Sequence, residues 1–387
     1  MRILMISDVY FPRINGVSTS IQTFYKELTG LGHEVTLIAP AYGADDGNHE
    51  WVYRIPSRSL PLDPEDRLMK RTYIRELHGA LTRNNYDVIH IQTPFVAHYT
   101  GVDLARRLNL PRVETYHTHF EEYFYHYLPW LPKSLMRHSA RWFNRRQCGD
   151  VDGLIVPSRA MLEVLREYRI DRPMEIIATG IDENFFRPGN GARFRARHGI
   201  DQDRPVLVHV GRVAHEKNID FLLRSLDVLR RRIPDVLLII AGEGPAETHL
   251  RNLAATLKLD NNLKFLGYLD RSSELLDCYC AGDVFIFGSK TETQGLVLLE
   301  AMAQGVPVVS IAALGTTDIL DAGRGALVAE EQPEDFAGKT ARVLLNPELH
   351  KTLSEDARDY ARTWTAKEFA LKALLFYERT IYHYRLN

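Results

Sequence analysis

Val206-Leu207-Val208-His209-Val210, the loop Gly211–Asn218, the segment Ile219–Arg232 and the run Val236–Ala241 together spell one repeating unit of this chain. Two short apolar runs flank a stretch with helical period. Near-continuous apolar runs suit strands covered on both faces, as in parallel sheets. The alternation extends through most of the chain. Further strands are expected at Ile3–Ser7, Val35–Ala39, Val88–Ile91, Arg112–Tyr116, Leu154–Pro157 and Met174–Ala178, then at Leu263–Leu266, Val284–Phe287, Val306–Val309 and Ala326–Val328. Amphipathic segments such as Ser18–Leu31 fall between them. Alternating strand and helix implies an α/β fold with parallel sheets and right-handed crossovers.

Length sets the number of sheets. The chain has 387 residues, 45% of them hydrophobic, and at about 100–200 residues per domain this means two cores. The pattern breaks at Phe186-Arg187-Pro188-Gly189-Asn190-Gly191, where Pro and Gly together have the composition of a hinge. Residues 1–186 and 187–365 are each long enough for a doubly wound sheet. Ligands of such sheets sit beyond the carboxyl ends of the strands. Two sheets facing across a hinge would place a substrate cleft between them.

Composition removes several functions. Lys and Arg (48) nearly balance Asp and Glu (50), for a formal charge of -2. A whole-protein basic field for nucleic acid is therefore absent. Cys148, Cys278 and Cys280 make no disulfide framework and read as semi-buried thiols of a reducing compartment. No apolar run approaches the roughly 20 residues of a membrane span. Met1–Asp8 turns polar too soon for a signal peptide. A soluble or peripheral cytoplasmic protein is expected. Neither half has Gly-x-Gly-x-x-Gly after its first strand; Gly242-Glu243-Gly244-Pro245 and Gly323-Arg324-Gly325 match in part, and the full Walker phosphate loop is missing. A nicotinamide enzyme or an ATPase is disfavoured.

Three loops carry residues suited to a nucleotide. Asn15-Gly16 follows the first strand and precedes a helix, where backbone N–H groups seat a phosphate; an ordinary β–α loop is the alternative. In the second, Gly211 lets the backbone approach a ligand, Arg212 forks onto phosphate oxygens and Lys217 adds a point charge. Two cations there would stabilise a departing diphosphate; a solvated loop is the alternative. The third is Glu292-Thr293-Gln294-Gly295-Leu296-Val297-Leu298-Leu299-Glu300. If Gly295 opens a helix, the N–H groups of Gln294 to Val297 point at an anion. Glu292 would then accept from sugar hydroxyls and Glu300 from a ribose.

Glu292 through Val309, with Gly211-Arg212, Lys217 and Gly242-Glu243-Gly244-Pro245, resembles the donor half of retaining family 4 glycosyltransferases. The resemblance spans essentially the whole chain, through Asn15-Gly16, Val156-Pro157-Ser158 and Thr179-Gly180-Ile181-Asp182. It implies the GT-B architecture, two doubly wound Rossmann-like domains facing across a cleft, with the nucleotide sugar held mainly by the second. It also implies that the last helix, over Lys367–Tyr384 in residues 366–387, crosses back to the first domain. His117, in Thr115-Tyr116-His117-Thr118-His119-Phe120, matches the family histidine that contacts the donor sugar; a core or capping role is the alternative, and His119 suits a simple loop role. This pair lacks a third zinc ligand at metal spacing. Asp150-Val151-Asp152 and Asp201-Gln202-Asp203 read as turn residues. The resemblance then implies catalysis without metal or cofactor, with Arg212 and Lys217 doing the charge work. The catalytic set is His117, Arg212, Lys217 and Glu292. The donor-binding set is Asn15, Gly16, Gly211, Gly242, Gly244, Thr293, Gln294, Gly295, Leu296, Val297 and Glu300. After Val309 the family often has Gly-Gly and a small motif with Glu; here Ile311-Ala312-Ala313-Leu314-Gly315-Thr316-Thr317-Asp318 stands instead.

Residues 123–146 contain no acidic residue. Lys133, Arg137, Arg141 and Arg145 recur every four residues and form one helical stripe. Trp130, Trp142 and neighbouring Leu, Met and Phe residues supply an apolar side. A basic amphipathic helix with aromatic anchors suits an anionic bilayer; a helix with one buried face and one solvated cationic face is the alternative. Tyr116–Tyr123, with His126-Tyr127, resembles bacterial glycosyldiacylglycerol synthases and sulfolipid synthases. The expected function is transfer of a hexose, α-glucosyl from UDP-glucose, to a membrane lipid such as diacylglycerol at the inner face of the membrane. A mannosyl- or glucosyltransferase of lipopolysaccharide or exopolysaccharide using GDP- or UDP-sugar fits the same donor motifs, and a silent sugar-nucleotide-binding module is a third possibility.

Overall fold

A computed structural model describes residues 1–43, 46, 49–59, 67–117, 133–271 and 273–386, of which 133–138 and 140 are described by backbone alone. The chain divides into two compact units, Met1–Gly180 with Ala366–Asn387, and Ile181–Thr365. Unit 1 contains β1 (Arg2–Ile6), β2 (Glu34–Pro40), β3 (Val52–Ile55), β4 (Ser57–Ser59), β5 (Arg67–Met69), β6 (Val88–Ile91), β7 (Arg112–Thr115), β8 (Gly153–Val156) and β9 (Met174–Ile176). Seven of these form a parallel sheet in the order β3-β2-β1-β6-β7-β8-β9, and β4 and β5 pair as a small antiparallel ribbon. Unit 2 contains β10 (Val206–Val210), β11 (Leu237–Ala241), β12 (Leu263–Gly267), β13 (Val284–Phe287), β14 (Val308–Ile311) and β15 (Ala326–Ala329). These form a six-stranded parallel sheet in the order β12-β11-β10-β13-β14-β15.

The apolar runs explain both sheets. All five residues of β10 and of β11 are buried. Successive side chains of a strand point to opposite faces. Val206, Val208, Leu237 and Ile239 therefore pack into one core, and Leu207, Leu238 and Ile240 into another on the opposite face. Helices such as Ile219–Leu229 and Pro333–Leu344 close the second face through Leu222, Leu226 and Phe336. Unit 1 repeats the scheme with Leu4, Ile6, Ile89, Ile91, Leu154 and Val156 in one cluster.

Two features depart from the sequence reading. The Pro-Gly stretch 186–191 is no free hinge, because it is packed inside unit 2. Phe185 lies in that unit's core, the Gly189 N–H donates to Gln304 Oε1 at 3.0 Å, and a Cβ on Gly191 would fall 2.1 Å from the Cys280 carbonyl oxygen. Gly and Pro there serve close approach, and the units divide at Gly180 instead of residue 186. The edge strand β3 and the ribbon β4–β5 are also new. The helix Ala366–Leu386 belongs to unit 1, with Tyr377 fully buried and Phe376 so close to Gly153 that a Cβ there would lie 2.7 Å from its ring.

Candidate active site

Each sheet reverses its strand order once, between β1 and β6 in unit 1 and between β10 and β13 in unit 2. Loops leaving the carboxyl ends of such neighbours turn to opposite faces and leave a crevice. In unit 2 these loops are residues 211–218 and 288–295, the two that the sequence singles out.

The unit 2 loops meet through charge. Lys217 ends a short 3-10 turn, His215–Lys217, and its Nζ lies 2.5 Å from Glu292 Oε1. Both side chains are about one-fifth exposed (21% and 20%), so the pair is screened by protein yet reachable. Arg212 Nη1 lies 3.8 Å from Glu216 Oε1, one third exposed. The loop with Gly242 and Gly244 braces this turn: the Gly211 N–H donates to Ala241 O at 3.0 Å, and Val213 exchanges backbone hydrogen bonds with Glu243 and Ala246. Gly242 and Gly244 thus shape the Gly211–Val213 backbone.

Gly295 caps the helix Leu296–Ala303 with φ +90°, and a Cβ there would sit 2.8 Å from Thr316 Cγ2. Only glycine adopts that turn cheaply. The first-turn N–H groups, at Leu296 and Val297, have no upstream helical carbonyl. Thr293 and Gln294 lie in the preceding loop, and the Gly315 N–H donates to Glu292 O at 2.9 Å. Leu314 just before it has φ 48° and ψ -127°, a conformation that strains a residue with a Cβ. Leu314→Gly is therefore expected to raise stability by about 1 kcal/mol, after the entropy of the added glycine is offset; equilibrium denaturation measures it. Glu300 is 1% exposed and already engaged, with Oε1 accepting from Arg271 Nη2 at 2.5 Å and Oε2 from the Tyr279 hydroxyl at 2.8 Å. A carboxylate oxygen accepts more than one hydrogen bond, so a ribose hydroxyl would join this cluster rather than meet a bare carboxylate.

In unit 1, Asn15 accepts from the Ser18 N–H at 2.9 Å and caps the helix Gly16–Gly30. Its amide oxygen is a helix cap, and Gly16 supplies the first-turn backbone. His117 follows β7. Its Nε2 lies 3.1 Å from Gln92 Oε1. Gln92 Nε2 lies 3.0 Å from His90 Nδ1, the Tyr377 hydroxyl lies 2.7 Å from the same nitrogen, and His90 Nε2 lies 2.7 Å from Thr115 Oγ1. The amide of Gln92 fixes the protons along this chain. Its N–H donates to His90 Nδ1, so His90 carries its proton on Nε2. Its oxygen only accepts, so His117 donates from Nε2. Burial lowers His90 to about 3 and His117 to about 4. At neutral pH, His117 is thus uncharged with Nδ1 as its acceptor nitrogen.

Residues 14–185 match the family model described as Glycosyltransferase Family 4, and residues 191–360 match Glycosyl transferases group 1. The chain is 32% identical, over 97% of its length and 86% of the relative's, to an alpha-monoglucosyldiacylglycerol synthase of Streptococcus pneumoniae. It belongs to the family 4 glycosyltransferases. A sulfoquinovosyl transferase of Arabidopsis thaliana is 29% identical over 89% of this chain and 63% of that one. A solved sucrose-phosphate synthase of Thermosynechococcus elongatus superposes with TM-score 0.79 at 21% identity, covering 98% of both chains. The fold is GT-B, and the enzyme is a retaining glycosyltransferase that draws on a nucleotide sugar.

The glycosyltransferase does form a helix over its basic stripe, Lys133–Gly149. Trp130 and His119 lie outside the described residues, as do the side chains of Lys133 and Arg137. Arg141 stands 5.6 Å over the Tyr168 ring, and Arg145 Nε donates to Tyr168 O at 2.5 Å. Those two arginines brace the enzyme's own helix Arg159–Glu167 at its cap. Asn144, Gln147 and Cys148 are buried, while Trp142 is 59% exposed with Arg146 5.7 Å over its ring. The exposed residues of this helix include Ser139, Trp142, Arg145 and Arg146. Among the described residues no helix is long and apolar enough to cross a membrane. The Asp pairs behave as local anchors: Asp152 accepts from the Arg112 N–H at 2.9 Å, and Asp150 lies 3.8 Å from His98 Nε2.

The sequence reading passes over Gln92, His90, Tyr377, Arg271 and Tyr279. The hydrogen bond between Tyr377 and His90 joins residues 287 positions apart, and no local pattern announces it. Gln92 directly follows the strand residue Ile91 at a switch point, a position that singles it out once the strand order is known.

Proposed function

We propose that this enzyme transfers a glucosyl group from UDP-glucose to a diacylglycerol-type lipid, with retention at the sugar. The observation that carries the acceptor is the end-to-end likeness to a synthase of that name. Lys217 and Arg212 stabilise the departing diphosphate, assisted by backbone N–H groups near Gly16 and Gly295. Glu292 orients the hexose, His117 accepts one of its hydroxyl hydrogens at Nδ1, and Glu300 takes the ribose. The bond from the anomeric carbon to the diphosphate breaks as the acceptor hydroxyl attacks from the same face. The acceptor's proton passes to a leaving phosphate oxygen. Trapping of a glycosyl-enzyme on Glu292 would overturn this step.

The test is transfer from UDP- and GDP-sugars onto diacylglycerol in anionic vesicles with EDTA present. A glycolipid product is expected. Donor hydrolysis without lipid product sinks the acceptor assignment and turns the search to polysaccharide precursors.

Trp142 and Arg146 mark the face that meets the bilayer. A basic residue near an anionic surface contributes about 1 kcal/mol. Trp142→Ala with Arg146→Glu is thus expected to weaken binding to anionic vesicles by more than about fivefold. Sedimentation with vesicles checks it, and unchanged binding removes this face from the membrane contact. Charge reversal at Arg141 or Arg145 is a poorer probe, because both hold Tyr168.

A further inference from the structure

The turn that carries Lys217 also carries a group of side chains that the transfer reaction does not use. His215 lies in the turn itself, Asp220 in the first turn of the helix Ile219–Leu229, and His249 in the first turn of the helix Glu247–Thr256. One ligand atom from each lies within 4.8 Å of the others. His249 Nε2 is 2.6 Å from Asp220 Oδ2, and the His215 ring lies 5.4 Å from that of His249. Among the described residues, the His215 side chain has no hydrogen bond. A histidine–aspartate ion pair needs only two of these groups. The third group, the His215 imidazole, comes from the turn just before the Asp220 helix and completes a set of three.

We propose that His215, Asp220 and His249 form a binding site for zinc, which clamps the Lys217 turn to the helix Glu247–Thr256. Two imidazoles and a carboxylate are donors that zinc accepts in tetrahedral sites, with water as the fourth ligand. His215 and His249 are exposed, so solvent supplies that water. Coordination parts His249 from Asp220 by a few tenths of an ångström. The proton between them moves to His249 Nδ1 or leaves to solvent. The ion lies outside the transfer chemistry. Its effect is to hold the segment that places Lys217, and in that clause alone the proposal rests on the function assigned above.

The test uses the full chain without a histidine tag, stripped with EDTA and desalted. Calorimetric titration with Zn2+, and the visible absorption of Co2+ as a probe, read binding directly, so failure here and failure of the transfer reaction are distinguishable. One equivalent is expected to bind, with a rise in Tm. Removal of a direct ligand costs at least the roughly 10–100-fold in affinity that outer partners cost, so His249→Ala and Asp220→Asn should each lose the equivalent and the Tm rise. Far-ultraviolet circular dichroism in EDTA verifies that the variants fold. Absence of Zn2+ binding by the natural chain overturns the proposal. So does an equivalent that persists at unchanged affinity in the double variant His215→Ala, His249→Ala.

Discussion

Lys217→Ala is expected to lower kcat/KM by about 10²–10³-fold, the loss seen when one preorganised donor to a developing charge is removed. The ammonium stands beside Glu292 before any donor arrives, so it is already placed and partly desolvated. Charge on the diphosphate grows as its bond to the sugar breaks. An interaction that strengthens along that path appears in kcat, whereas one made equally with the bound donor appears in KM. The loss is therefore expected mainly in kcat. Glu292 keeps solvent contact after the substitution, so the fold should survive with little change in Tm. Lys217→Arg should recover part of the rate, since charge returns in a different shape. Steady-state kinetics over donor concentration decides the matter. A raised KM at constant kcat would demote Lys217 to a binding residue.

The second large effect is on stability. His98, fully buried on the helix Val96–Leu108, places Nδ1 3.0 Å from Glu114 Oε2 and Nε2 3.8 Å from Asp150 Oδ2. Burial alone would lower its pKa, but Glu114 and then Asp150 oppose that and raise it above the ordinary 6.5. The pair with Glu114 thus favours the protonated ring over a free imidazole. Its contribution is complete below the unfolded value and is lost as pH rises through the raised folded value. Stability should therefore decline on that alkaline limb in the natural chain. His98→Leu should remove the limb and cost about 3–5 kcal/mol, because Glu114 is left buried without its partner. Replacing both partners, as in His98→Leu with Glu114→Leu, should recover most of that loss. Denaturation midpoints at several pH values provide the check. A double variant no more stable than the single one would show that the pair is not the cause.

Why some of this is readable in the sequence follows from burial. Val206–Val210 is apolar and wholly interior, so its composition and its place in the sheet carry the same information. Val52–Ile55 is a half-exposed edge strand containing Tyr53 and Arg54, and its mixed pattern hides it. Glycines at sharp turns are visible because backbone geometry demands them, as at Gly295. The glycines and proline of 186–191 mislead for a related reason: small residues also serve tight packing, here against the Cys280 carbonyl. Charged loop residues such as Lys217 and Glu292 stand out by type and position. The chain from Tyr377 through His90 and Gln92 to His117 does not, because it exists only after distant segments have packed. The basic stripe is half legible in the same sense. Its helix is plain from spacing, but the use of Arg141 and Arg145 to hold Tyr168 depends on a neighbour that spacing does not reveal.

The helix Ala366–Leu386 also bears on biosynthesis. A ribosome delivers residues 1–180, then all of unit 2, and only afterwards the segment that supplies Phe376 and Tyr377 to unit 1. Unit 2 is continuous and is able to mature while still attached. The earlier-made unit waits with an uncovered apolar face, the condition under which nascent chains recruit chaperones or aggregate. Maturation therefore runs opposite to the order of translation. A chain stalled before residue 366 would hold a complete unit 2, while His90 lacked its contact with the Tyr377 hydroxyl.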